Sequence, residues 1–190
     1  MNLRNKTVLF LGSSVTHGSC AGGVSFVEVM ARERGLIPIK EAVPGTTLAD
    51  INETSYVYRL KQVDTKQKVD LCICQLSTND AWNTALDLSL TKEAIRFVIS
   101  YVKETFHCPV VFYTGTYFES DRYAEMVEFL LALQKECEFG VIDLYHDEEM
   151  RAVSKEVYQE YMADPIHPSL KGYEEWWAPK FIAFCDQLPE

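Results

Sequence analysis

The chain has 190 residues, 47% of them hydrophobic and 24% charged, which suits one globular domain spanning 1–190 with a full-sized core. Its formal net charge is −10 and it carries no basic run, so a polyanion is repelled at long range and nucleic acid is excluded as an expected partner. No apolar run reaches the roughly 18 residues of a membrane span, and the apolar stretch near the N-terminus is too short for a secretory signal, so the expected location is cytoplasmic.

Taken in chain order, strands and helices alternate. Thr7-Val8-Leu9-Phe10-Leu11 reads as a buried strand. Residues 25–34 read as a helix with Phe26, Val29 and Met30 on one face. Residues 37–41 form a short second strand whose Pro38 suits a sheet edge. A strong third strand covers 69–76; its Cys72 and Cys74 alternate within it and are expected on opposite faces. Thr91 is expected to cap a helix running to about Thr105, with Ala94, Ile95, Val98 and Val102 inward. A fourth strand follows at 109–113, a helix at 122–137 and a fifth strand at 141–144. The acidic run Asp147-Glu148-Glu149 starts a solvated helix. A last helix after Ser169 carries Tyr173, Trp176, Trp177, Phe181 and Phe184, and Pro179 must kink or split it.

The six cysteines contain no C-x-x-C pair, so neither a zinc site nor a dithiol motif is indicated, and reduced thiols are expected. Apolar strands alternating with amphipathic helices imply an α/β fold: a parallel sheet covered on both faces, in a three-layer α/β/α sandwich. Ligands bind such sheets at the carboxyl ends of the strands, which directs attention to the loops after residues 11, 41, 76 and 113.

Four segments near that edge carry chemistry. They are Gly12-Ser13-Ser14-Val15-Thr16-His17-Gly18, Val43-Pro44-Gly45-Thr46, Ser77-Thr78-Asn79-Asp80 and Asp164-Pro165-Ile166-His167-Pro168. A serine nucleophile needs a base and a group that orients the base. Asp164 and His167 are three residues apart, so the carboxylate can reach one imidazole nitrogen within a turn and leave the other for a serine. Acyl transfer also needs donors aimed at the developing oxyanion. The backbone amides of Ser14 and Gly45 and the side chain of Asn79 could supply them.

Together these segments resemble the SGNH hydrolase (GDSL esterase/lipase) superfamily, over nearly the whole chain and in family order. Gly12-Ser13-Ser14-Val15 matches the first block, which puts the nucleophile at Ser14; Gly45 matches the second-block glycine; Ser77-Thr78-Asn79-Asp80 matches the third block; Asp164 to Pro168 matches the last. The resemblance implies a flavodoxin-like five-stranded parallel sheet of order 2-1-3-4-5. It also implies hydrolysis of a small-molecule ester or thioester through an acyl-enzyme, with catalytic Ser14, Asp164 and His167, an oxyanion hole from Ser14, Gly45 and Asn79, and neither metal nor cofactor. Two residues depart from the pattern. Ser13 replaces the motif's aspartate, which is not a catalytic position. Ser77 replaces the third-block glycine and is expected to add a hydroxyl beside the oxyanion hole, while Trp82 is a candidate pocket wall. His17, His107 and His146 are expected at the surface.

The substrate expectation is a small acyl ester, with an acetylated carbohydrate favoured and thioesters or lysophospholipids as alternatives. A flavin-binding module is the rival from another class. Flavodoxins share the sheet order and bind phosphate in a Ser/Thr-rich first loop, but that reading leaves Asn79, Asp164 and His167 without a role.

Overall fold

The computed structural model describes residues 1–189. The five apolar runs form β1 (Thr7–Gly12), β2 (Ile37–Ala42), β3 (Leu71–Gln75), β4 (Val110–Tyr113) and β5 (Gly140–Ile142). All neighbours pair in parallel, in the order β2-β1-β3-β4-β5. Pro38 lies on the edge strand β2, and β3, in the centre, is buried throughout.

The connecting helices are α1 (Ser14–His17), α2 (Phe26–Arg34), α3 (Tyr56–Gln62), α4 (Thr78–Trp82) and α5 (Leu88–Phe106). They continue with α6 (Asp121–Glu136), α7 (Glu148–Ala152), α8 (Lys155–Tyr161), α9 (Leu170–Gly172) and α10 (Ala178–Gln187). Strand side chains alternate between faces, so the sheet separates two cores. Leu9, Leu11 and Phe112 pack with Val98, Met126 and Leu130 of α5 and α6 on one side. Val8, Phe10, Ile73 and Tyr113 pack with Phe26, Trp177 and Phe181 of α2 and the C-terminal helices on the other. Phe26 and Phe181 nearly touch, their ring centroids 4.1 Å apart. The result is the three-layer α/β/α sandwich expected from the sequence. Among the described residues no helix is long and apolar enough to cross a membrane.

Three local expectations need correction. Cys72 and Cys74 share one face and one core, because residues two apart on a strand point the same way. Helix α5 begins at Leu88, not Thr91: Asp87 caps it by accepting from Ser89 N, and Thr91 lies a turn inside. Helices α3 and α8 have no counterpart in the sequence reading. Each is only seven residues long, too short for a clear periodic signal, although Ser55 and Ser154 cap them. Pro179 does not split the C-terminal helix, which runs without a break from Leu170 to Gln187. The disturbance takes the form of a wide π-type turn over Tyr173–Trp177, directly before the proline, which relaxes the backbone hydrogen-bond ladder where Pro179 has no N–H to offer.

Candidate active site

The chain leaves β1 through Gly12, at a point where a side chain does not fit. A Cβ there would overlap Thr16 Oγ1 and stand 2.8 Å from Gln75 Oε1. Gln75, the last residue of β3, organises the turn. Its Oε1 accepts from Ser13 N at 2.9 Å and from Thr16 Oγ1 at 2.9 Å. Thr16 Oγ1 also lies 2.6 Å from the hydroxyl of Tyr113, the last residue of β4. The two adjacent serines therefore have different surroundings. Ser13 is fully buried in this network, whereas Ser14, the first residue of α1, keeps 9% of its surface exposed.

The segment before α9 approaches from the other end of the chain. Asp164 Oδ1 accepts from Ile166 N at 2.7 Å and His167 N at 2.8 Å, while Oδ2 lies 2.8 Å from His167 Nδ1. On the far side of the ring, His167 Nε2 is 2.8 Å from Ser14 Oγ. A carboxylate at Nδ1 holds the proton there, which leaves Nε2 bare to accept one. Burial pushes the Asp164 carboxyl up, but the hydrogen bonds from the His167 ring and from the two backbone N–H groups outweigh it and hold the carboxyl below the usual range. Tyr173 joins the two ends of the chain by donating its hydroxyl to Val15 O at 2.7 Å.

The remaining expected residues come from the loops after β2 and β3. Asn79, in the first turn of α4, donates one Nδ2 hydrogen to Thr46 O at 2.8 Å and retains a second. Gly45 precedes Thr46 in a left-handed conformation with φ of +78°, which favours glycine. Arg59 of α3 ties this loop to the serine turn, donating to Gly12 O at 2.7 Å and Thr46 Oγ1 at 3.3 Å. Asp80 is fully buried, and its carboxylate accepts from Leu48 N, Ala49 N and Thr91 Oγ1 at 2.8–2.9 Å. Asn79 and Asp80 thus grip the 46–49 segment at consecutive points. Sequence reasoning overlooked Gln75, Arg59 and the anchoring role of Asp80. Only Asp80 left a trace, as the polar residue closing the third block.

Ser77 does not line the site. It is fully buried, and its hydroxyl caps α4 by accepting from Asp80 N at 3.3 Å. Trp82, one turn beyond Asn79, is 64% exposed and stacks on Phe118 with ring planes 7° apart. His17 is half-buried beside Ser19, and His107 is exposed. His146 repeats the local geometry of His167: its Nδ1 is 2.8 Å from Asp143 Oδ2 and its N–H reaches Asp143 Oδ1 at 3.2 Å. Its other nitrogen lies 3.8 Å from Glu128 rather than against a serine.

A flavodoxin-like sheet with a Ser–His–Asp line at its carboxyl edge is the architecture of the SGNH hydrolases. The chain belongs to the GDSL-like lipase/acylhydrolase family, whose model matches residues 10–175, and it is an ester hydrolase. None of the curated proteins matches it. Among solved structures it is similar to a protein from Lactobacillus plantarum, with 16% identity, 98% of this chain and 99% of that one covered, and a TM-score of 0.82. It is similar to a member of the lipolytic protein G-D-S-L family from Veillonella parvula, with 19% identity, 96% and 100% covered, and a TM-score of 0.76. It is also similar to a family two carbohydrate esterase from Clostridium thermocellum in complex with cellohexaose, with 14% identity, 94% and 62% covered, and a TM-score of 0.67. At these identities the likeness is one of fold.

Proposed function

We propose that this ester hydrolase cleaves a small acyl ester, an acetylated carbohydrate foremost, through an acyl-enzyme on Ser14. Ser14 Oγ attacks the ester carbonyl while its proton passes to His167 Nε2. Asp164 holds the ring in the receptive tautomer and stabilises the imidazolium that forms. The tetrahedral oxygen takes hydrogen bonds from Ser14 N, Gly45 N and the second Nδ2 hydrogen of Asn79. As the intermediate collapses, His167 returns the proton to the departing alcohol. Water then repeats the sequence on the acyl-serine: His167 takes its proton, the oxygen attacks the carbonyl, and Ser14 leaves with the proton.

The observation that carries this reading is the unbroken line from Asp164 Oδ2 through the imidazole to Ser14 Oγ, with both contacts at 2.8 Å. The carbohydrate preference rests on Trp82, whose exposed face, one turn from Asn79, suits a sugar ring, and on the shared fold with a carbohydrate esterase. The test is a panel of chromogenic esters of increasing acyl length, run beside acetylated sugars, acyl thioesters and lysophospholipids. Turnover confined to short acyl groups, and highest on acetylated sugars, is expected. A preference for long acyl chains or thioesters moves the assignment to those classes, and a fully active Ser14→Ala enzyme overturns the mechanism.

A further inference from the structure

Cys20 was an isolated cysteine in the sequence, but the fold brings it to the edge of the Ser–His–Asp line. Its Sγ, a carboxylate oxygen of Asp164 and a ring nitrogen of His167 all lie within 4.8 Å of one another. Cys20 sits in a short 3₁₀ turn, Ser19–Ala21, bounded by Gly18 and Gly22 in left-handed conformations. The loop is anchored: Lys40 Nζ donates to His17 O at 2.9 Å, to Gly23 O at 3.1 Å and to Glu28 at 2.6 Å, and Gly23 N donates to Gly18 O at 2.9 Å. The thiol is thus held at the rim by a braced loop, with its own side chain exposed.

We propose that Cys20, Asp164 and His167 form an inhibitory site for a thiophilic divalent cation of the zinc class. A thiolate, an imidazole and a carboxylate are a donor set that suits zinc, and three protein ligands leave the fourth tetrahedral position to water. Bond lengths of about 2.0–2.3 Å put tetrahedral ligands about 3.5 Å apart, so Cys20 Sγ must approach by up to about 1 Å, while a cation on Nδ1 must part the Asp164 and His167 atoms, 2.8 Å apart, by several tenths of an ångström. The Cys20 proton leaves to solvent as the Zn–S bond forms. Either mode of imidazole binding blocks the site. A cation on Nδ1 separates the ring from Asp164 and moves the proton to Nε2, the nitrogen that must be bare towards Ser14. A cation on Nε2 takes that nitrogen directly. The inhibition rests on the role given to His167 above, but the binding does not.

Two measurements on the whole chain separate these claims. Co²⁺ serves as the spectroscopic probe, because a thiolate ligand gives a charge-transfer band in the near ultraviolet. The band is expected in the wild type and not in Cys20→Ser. In the ester assay, Zn²⁺ should inhibit the wild type reversibly, with chelator restoring activity. Cys20→Ser should keep its basal rate and require about tenfold more Zn²⁺ or higher for the same inhibition. Equal Zn²⁺ sensitivity of the two proteins, or a Co²⁺ band that is absent from the wild type or survives in Cys20→Ser, overturns the site. A chain that shows the Cys20-dependent band yet turns over no ester keeps the metal site and refutes the hydrolytic role of His167 instead.

Discussion

His167 Nε2 stands 2.8 Å from Ser14 Oγ across 153 residues of chain, whereas Ser13 is turned into the protein against Gln75. The two neighbouring serines should therefore respond differently to the same substitution. Ser14→Ala should fold normally and lose kcat on the order of 10⁴-fold or more. Ser13→Ala loses a long 3.4 Å side-chain contact to Gln75 and a side-chain interaction with Tyr56 but keeps its backbone bond, so activity should fall only mildly. Steady-state kinetics on both variants decide it, and the reverse ranking refutes Ser14 as nucleophile.

In the proposed mechanism Asn79 directs its second Nδ2 hydrogen at charge that develops after binding. Asn79→Ala should lower kcat on the order of 10²–10³-fold with a much smaller change in KM. The lost bond to Thr46 O also loosens the Gly45 loop, so circular dichroism should accompany the kinetics to establish that the fold persists. An increase in KM at unchanged kcat would make Asn79 a binding residue rather than an oxyanion donor.

Asp80 is structural, whereas the role proposed for Asn79 is chemical. Removing its buried carboxylate strands the donors of Leu48, Ala49 and Thr91. Asp80→Ala should cost about 3 kcal/mol or more, read as a lower urea midpoint, because each buried donor left unpaired costs about 1–3 kcal/mol. An unchanged midpoint would show that water reaches these groups.

Asp164 gives a pH dependence of defined sign. Its carboxyl is held below the usual range in the folded chain, so the ionised form favours folding. That contribution is fully present above the unfolded value of about 3.9 and is lost as pH falls through the lower folded value. Asp164→Asn should therefore reduce the urea midpoint at neutral pH, and its difference from wild type should shrink in strong acid. It should also lower kcat on the order of 10³–10⁴-fold, since the amide no longer fixes the imidazole tautomer. A stability gap that is constant from about pH 7 to about pH 3 contradicts the sign.

Much of this architecture is local and was legible before any coordinates. Strand and helix periodicity reflect burial of each segment's own apolar face, so Thr7-Val8-Leu9-Phe10-Leu11 and the inward row Ala94, Ile95, Val98 and Val102 could be read directly. The Asp164–His167 contact was legible for the same reason, because three residues of chain fix it. Short capped helices such as α3 and α8 were not, since seven residues carry too little periodicity.

Local spacing alone does not make a site. Asp143 and His146 have the same separation as Asp164 and His167 and form the same 2.8 Å contact, yet only His167 meets a serine. The sequence by itself determined the alternation of strands and helices, the loops at the sheet's carboxyl edge and the residue types able to do acyl chemistry. Tertiary structure decided which serine reaches the surface, because Gln75 and Tyr113 from β3 and β4 draw Ser13 and Thr16 inward. It decided which histidine that serine meets, because Tyr173 bonds Val15 across the chain. It buried Ser77 as a helix cap and brought Cys20 to the rim. The choice of serine and of histidine depends on hydrogen bonds between residues distant in sequence, which a reading of local pattern does not contain.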